Sequence, residues 1–94
     1  MNRYGSQAQK HWQKYLPNRY KALPDPEAFF SDLGEQVSER VHELEEVLAG
    51  ENRPGEDFMV RVGRRNMARL NAESQALQEL ALLPEEDETE ETAA

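Results

Sequence analysis

The chain has 94 residues and a formal net charge of −8, which allows one small domain and excludes two separate cores. It contains no cysteine, so disulfides and thiolate metal sites are excluded and a reducing, cytoplasmic setting is expected. No apolar run approaches the roughly 20 residues of a membrane span, and residues 1–10 lack the apolar core of a secretory signal. We expect a cytoplasmic protein that does not insert into a membrane.

A short helix is predicted near the N-terminus. Ser6 is a suitable N-cap, and the pattern predicts a helix over about residues 6–15 that ends before Pro17. Residues 18–24 are expected to form an irregular connection to the next element.

This first segment is both basic and aromatic. Residues 1–24 carry five basic side chains and no acid, and they hold all three tyrosines and Trp12, the only tryptophan. Aromatic rings among cations can stack on bases while the cations contact phosphates, which makes Lys10, Trp12 and Lys14 candidate nucleic-acid contacts. The alternative is that the rings pack the short helix onto the core of the protein.

The clearest element is a long helix over residues 26–49. Asp25 is a good N-cap, Pro26 occupies the favoured first helical position, and Gly50 suits the position after the last turn. Gly34 lies inside the helix, where a close approach of another helix would explain a glycine. One apolar stripe at helical spacing is predicted to be buried, and its members are Phe30, Leu33, Val37, Val41, Leu44 and Leu48.

A second long helix is predicted over about residues 56–82, after a turn at 51–55 and before Pro84. Its predicted buried stripe consists of Met59, Val62, Asn66, Leu70, Ser74 or Glu73, Leu77 and Leu80. Matched lengths and a short turn imply an antiparallel αα-hairpin. The expected fold is all-α, with one domain over residues 1–84, the short helix packed on the hairpin, and a disordered acidic tail over 85–94.

A core this small also bears on the oligomeric state. Such cores are hard to stabilise alone, and a long apolar stripe is typical of a self-associating surface, so a homodimer is an alternative to a monomer. Asn66 lies on the predicted stripe, and a buried amide needs hydrogen-bond partners. We expect it to fix the register of the hairpin or of a dimer.

The second long helix carries four arginines on one face: Arg61, Arg64, Arg65 and Arg69. Such a face can bind phosphate or an acidic partner. The alternative is pairing within the chain, to the neighbouring acidic helix or the tail, although exposed pairs contribute only roughly 0–1 kcal/mol each. With Asn66 and the basic N-terminal residues, these arginines form the candidate partner or nucleic-acid site.

The first long helix carries an acidic row made of Asp32, Glu35, Glu39, Glu43 and Glu46. Carboxylates one helical turn apart, roughly 5–6 Å between neighbours, can imitate the charges of a nucleic-acid strand and occupy the basic groove of a nuclease. The alternative is a solvated helix face with no binding role.

The sequence offers no catalytic or metal-binding constellation. Glu39 and His42 form a single E-x-x-H step, whereas di-iron bundles use two such steps and two further carboxylates, and here the step faces away from the apolar stripe. There is no nucleophile elbow, phosphate-binding glycine loop or zinc helix motif. We expect no enzyme activity, no cofactor, no metal and no small-molecule substrate.

One segment resembles a known family. It reads Met59-x-x-Val62-Gly63-Arg64-x-Asn66-x-x-Arg69-x-x-Ala72-Glu73. It is similar to the C-terminal helix of the TnpV family of transposon-encoded proteins, and similar types recur upstream, so that the resemblance covers about residues 4–80. The upstream positions are Tyr4, Gly5, Tyr15, Leu16, Arg19, Leu33, Gln36, Arg40 and Leu44. The resemblance implies a role beside recombination or transfer genes, with Gly63, Arg64, Asn66 and Arg69 as a shared surface.

The residues and the resemblance together predict a non-catalytic accessory protein of a mobile genetic element, such as a transposon, an integrative element or a phage. It would bind DNA or a recombination or transfer protein through the arginine face and the basic N-terminus. One alternative is an acidic nucleic-acid mimic that inhibits a host defence nuclease, of the anti-CRISPR or anti-restriction type. The other is a dimerising helical interaction module with no nucleic-acid role.

Overall fold

The computed structural model describes residues 1–51 and 53–86, and in this part of the chain every regular element is a helix. The helices are α1 Arg3–Tyr15, α2 Pro17–Lys21, α3 Pro26–Ala49 and α4 Phe58–Leu80. The long helices α3 and α4 pack along each other as an antiparallel hairpin, and α1 packs on α3. The predicted all-α hairpin is confirmed.

The long helix α3 has the predicted bounds and ends. The side chain of Asp25 accepts a hydrogen bond from the N–H of Ala28 at 3.2 Å, and Pro26 is the first helical residue. Gly50 follows the last turn with a φ of 67°, a left-handed conformation that a residue without Cβ adopts easily. The signals at both ends of α3 were therefore readable from sequence.

The N-terminal segment contains more helix than predicted. The N-cap of α1 is Asn2, whose side-chain oxygen accepts from the N–H of Gly5 at 2.9 Å, so the helix begins three residues before Ser6. The connection after α1 was predicted to be irregular, but Pro17 starts the short helix α2 there. Proline favours the first helical position because its missing N–H would have no partner there.

The acidic tail begins as an ordered segment. The carboxylate of Glu86 accepts hydrogen bonds from the N–H groups of Asn18 and Arg19, at 3.3 and 2.9 Å, and its own N–H donates to the carbonyl of Tyr15 at 3.0 Å. Negative charge is favourable at a helix N-terminus, so Glu86 anchors the segment that follows α4 to the start of α2. The rest of the predicted tail, residues 87–94, lies outside the described residues.

The hairpin core pairs large side chains of α3 with small ones of α4. The buried residues of α3 include Phe30, Leu33, Val37, Val41 and Leu44, as predicted, but the prediction is wrong for Leu48, the last member of the stripe, which is 44% exposed near the turn. The buried residues of α4 are Ala68, Ala72, Ala76 and Leu77. The stripe predicted for α4 is therefore wrong over most of its length, because the α3 side chains supply the volume and alanines let the two helices approach closely.

A close crossing of α1 over α3 explains Gly34, as predicted. A Cβ atom added to Gly34 would collide with the side-chain oxygen of Asn2 and lie 2.9 Å from the backbone nitrogen of Gly5, and one added to Gly5 would collide with the carbonyl of Phe30. Farther along α1, the indole N–H of Trp12 donates to the carbonyl of Ala81 at 2.8 Å. These contacts place α1 at the end of the hairpin away from its turn.

Candidate binding surfaces

The arginine face of α4 is largely engaged within the chain. Arg64 donates to both carboxylate oxygens of Glu56, at 3.1 and 2.8 Å, and also to the carbonyl of Ala49 at the end of α3. The Arg64 side chain is 19% exposed and that of Glu56 only 7%. The hydrogen bonds from Arg64 hold the pKa of Glu56 below its ordinary value, against an opposing effect of desolvation.

Two more arginines of this face also have intramolecular partners. Arg61 lies 3.7 Å from the same Glu56 carboxylate, and Arg69 lies 3.2 Å from Glu73. Arg3 of α1 contacts Glu73 as well, at 2.5 Å, and the fourth arginine, Arg65, is exposed but is not without a partner. The structure therefore brings the predicted arginines onto one helix but does not present them as a row of free cations.

The aromatic rings of the N-terminal segment pack into the protein. Trp12 is buried, with its ring edge-on to Phe30 at 5.5 Å between centroids, and Tyr20 stacks on Phe30 at 5.9 Å. The ring of Trp12 is not free to stack on a base. Lys10 and Lys14 are exposed, so the cations of the predicted nucleic-acid site face solvent while its tryptophan does not.

Asn66 is exposed, and the prediction of a buried amide is wrong. It belongs to the side of α4 that faces away from α3, because the buried alanines define the other side. Asn66 therefore does not set the register of the hairpin core.

The acidic row of α3 lies on the solvent-exposed side of the helix. All five of its members are exposed: Asp32, Glu35, Glu39, Glu43 and Glu46. Arg40 contacts Glu43 at 3.1 Å and Glu79 of α4 at 2.9 Å. Glu43 is therefore a member of the acidic row that has a cationic partner within the chain. His42 is also exposed.

The surface that sequence reasoning missed is apolar. The exposed large hydrophobic residues of the described chain, apart from Met1, all lie near the turn of the hairpin or along the outer side of α4. We call the first group the hairpin end, which comprises Val47, Leu48, Phe58, Met59 and Val60. We call the second group the outer stripe, which comprises Met59, Gly63, Met67 and Leu70. Met59 is 70% exposed, Leu70 61% and Met67 58%.

The outer stripe had a readable sequence signal. Residues 68, 72 and 76 are alanines in steps of four, which is itself a helical stripe. The helix thus carries two apolar faces, one small and one large, and the periodicity alone does not say which of them packs on α3. The prediction above places the large face in the core, whereas in the structure the small face packs on α3.

The described residues hold no cluster of metal ligands. No group of three or more His, Asp or Glu side chains in this part is arranged to hold a metal ion. The grooves beside Arg69 are lined by polar and charged side chains, including Arg3, His42 and Glu45. None of the described helices combines the length and apolar character required to span a membrane.

Comparison with known proteins found no family model that matches the chain, no similar curated protein and no similar solved structure.

Proposed function

We propose that this protein is a non-catalytic binding protein that docks on another protein through the hairpin end and the outer stripe. The resemblance to the TnpV family supplies the biological setting, an accessory role on a mobile genetic element beside a recombination or transfer protein. The function is thus to hold or position a protein of that machinery rather than to carry out a reaction.

The observation that supports this proposal is the concentration of large apolar side chains on one exposed surface. A solvated helix face is normally polar, and contiguous exposed apolar patches on small proteins typically mark interaction sites. Here the outer side of α4 carries Met59, Met67 and Leu70 in a chain that is 32% charged. Methionine adapts to irregular partner surfaces because its side chain is unbranched and flexible.

The same geometry favours a protein partner over DNA. DNA binding relies on cations that neutralise phosphates, whereas Arg61, Arg64 and Arg69 contact carboxylates of their own chain. Trp12, the ring best suited to stack on a base, is buried. The net charge of −8 also opposes approach to a polyanion.

The test is capture of a partner from cells that carry the native element, with three forms of the tagged protein. We expect wild type to retain a partner at high salt, since apolar contacts are not screened. Met67→Gln with Leu70→Gln should lose it. The matched control, Arg65→Gln with Arg69→Gln, should keep it, and loss of capture in the control with retention in the apolar variant would contradict the proposal.

A second candidate function is the nucleic-acid mimic, and the exposure of the whole acidic row favours it. The five carboxylates lie on one face of α3, a helix about 36 Å long at 1.5 Å per residue. Charge reversal at Glu39 and Glu43 to lysine should abolish inhibition of a purified defence nuclease. The mimic should show no affinity for DNA at any salt concentration, whereas binding by arginines should appear at low salt and weaken steeply as salt rises.

A further inference from the structure

We propose that the outer stripe is covered by the α4 helix of a second copy of this chain, with the two helices antiparallel. This inference rests on the proposed function, in that the stripe is taken to be a protein-binding surface, and it names the partner that occupies it. The hairpin end of each copy then remains available to a different protein, and the outer stripe contributes to binding that protein by pairing the two copies.

The spacing of the stripe is self-complementary. Gly63 and Met67 are centred on residue 65, and Met59 and Leu70 are centred between residues 64 and 65, a difference of about 0.75 Å along the helix axis. A two-fold axis beside residue 65 therefore places Met67 of each copy opposite Gly63 of the other, and Met59 opposite Leu70. Isologous interfaces have this property, because each copy must offer both halves of every contact.

Gly63 provides the space that this register needs. A Cβ atom built at Gly63 meets no atom of residues 1–51 and 53–86 within 4 Å. No contact in this part of the chain therefore explains a glycine in the middle of a helix, where it is less favourable than alanine. A missing side chain opposite a methionine allows the two helices to approach closely and the methionine to fill the gap. The glycine is therefore accounted for by an intermolecular contact.

The local charge permits two copies to meet here. The chain as a whole has a net charge of −8, so two copies repel each other on average. Residues 56–73 carry three acids and four arginines, a sum of +1, so the net negative charge that opposes association is absent from this segment. Asn66, Asn71 and Ser74 beside the stripe are exposed and uncharged.

The expected dimer is weak and reversible. One pair of facing helices offers less contact than the roughly 800 Å² per partner of a standard interface. We expect a dissociation constant on the order of 10 µM, so the monomer should dominate in dilute solution and the dimer should form on concentration.

Sedimentation velocity across protein concentrations from about 1 to 500 µM tests the proposal. Wild type should shift from monomer to dimer. Gly63→Gln is the sharpest variant, because it should stabilise the isolated helix yet block the entry of Met67, and so remain monomeric over the whole range. The matched control is Ala28→Gln, which adds the same side chain at an exposed position of α3 outside both apolar surfaces and should dimerise as wild type does.

Disulfide trapping tests the antiparallel register, and the absence of native cysteine gives it no background. Two copies of position 66 lie only about 3 Å apart along the helix axes in this register, whereas two copies of position 74 lie about 27 Å apart. Asn66→Cys should cross-link with itself, and Ser74→Cys should not. Cross-linking at both positions would indicate parallel helices and overturn the proposal.

The outcomes separate this proposal from the function it rests on. If wild type stays monomeric at every concentration, a second copy does not cover the outer stripe and this inference is wrong. The proposed function still stands if wild type captures another protein and the Met67→Gln, Leu70→Gln variant does not. A dimer sensitive to Gly63→Gln supports the inference even if no other protein is captured. A dimer unaffected by Gly63→Gln overturns it.

Discussion

The guanidinium group of Arg64 lies 2.8 Å from the carboxylate of Glu56 and also donates a hydrogen bond to the carbonyl of Ala49. Ala49 ends α3, and Glu56 lies just before α4 begins. One side chain therefore satisfies a carbonyl that has no partner within its own helix and ties the residues before α4 to the second turn of that helix. Arg64 therefore stabilises the turn of the hairpin through contacts within the chain.

Substitution Arg64→Ala should loosen the hairpin turn. Glu56, whose side chain is only 7% exposed, would lose its closest cation, and the carbonyl of Ala49 would lose a donor. We expect a clear decrease in Tm, measured by circular dichroism, with hydrogen exchange increasing first around residues 46–51. Arg69→Ala is the control and should change Tm little, because its pair with Glu73 is exposed. Equal effects of the two substitutions would refute the assigned role of Arg64.

Acid should destabilise the fold through two carboxylates. Arg64 lowers the pKa of Glu56, and Arg40, followed by Gln75, lowers the pKa of Glu79. A pKa lower in the folded than in the unfolded chain gives stability that is present above the ordinary value of about 4.5 and is lost as the pH falls through the folded value.

Thermal melts between pH 7 and pH 2.5 would measure this loss. The Tm should be nearly constant at the upper end and fall below about pH 4.5. The double substitution Glu56→Gln with Glu79→Gln should start from a lower Tm and show a shallower decline. If the double variant declines as steeply as wild type, other groups control the acid transition.

The two glycines inside the long helices should respond to alanine in opposite directions. Gly34→Ala forces Asn2 and Gly5 of α1 away from α3, and we expect a loss of about 1–3 kcal/mol. Gly63→Ala places a methyl group in open space and should add about 0.5–1 kcal/mol through helix propensity. Urea unfolding of dilute protein, where the monomer dominates, measures both. A destabilising Gly63→Ala would show that this glycine serves the fold of the monomer.

The ends of α3 could be predicted from sequence because they depend on local rules, and its buried stripe followed from helical spacing except at Leu48, which is 44% exposed. Asp25, Pro26 and Gly50 each have a conformational preference that acts without any partner. The packed face of α4 could not be predicted in this way, since alanines and large side chains both recur with helical spacing. Which face is buried depends on the size of the side chains that α3 presents, and that is a property of the pair.

The candidate site shows the same division. The acidic row is exposed, as predicted, because it lies on the side of α3 opposite the buried apolar stripe. The arginines were correctly placed on one helix, but their partners were not foreseen. The sequence pattern predicts Glu56 as the first residue of α4, but Glu56 precedes the helix and its carboxylate accepts hydrogen bonds from Arg64. Such contacts arise from the path of the turn, which composition alone does not specify.

Oxidation of the native methionines tests most directly whether another chain covers the outer side of α4. The chain has three methionines, of which Met59 and Met67 lie on the outer stripe and Met1, 51% exposed, lies elsewhere. Peroxide should oxidise all three readily in dilute protein, because exposure controls the reaction. In concentrated protein, mass spectrometry should show slower oxidation of Met59 and Met67 and an unchanged rate at Met1. Equal rates for all three at every concentration would contradict the account.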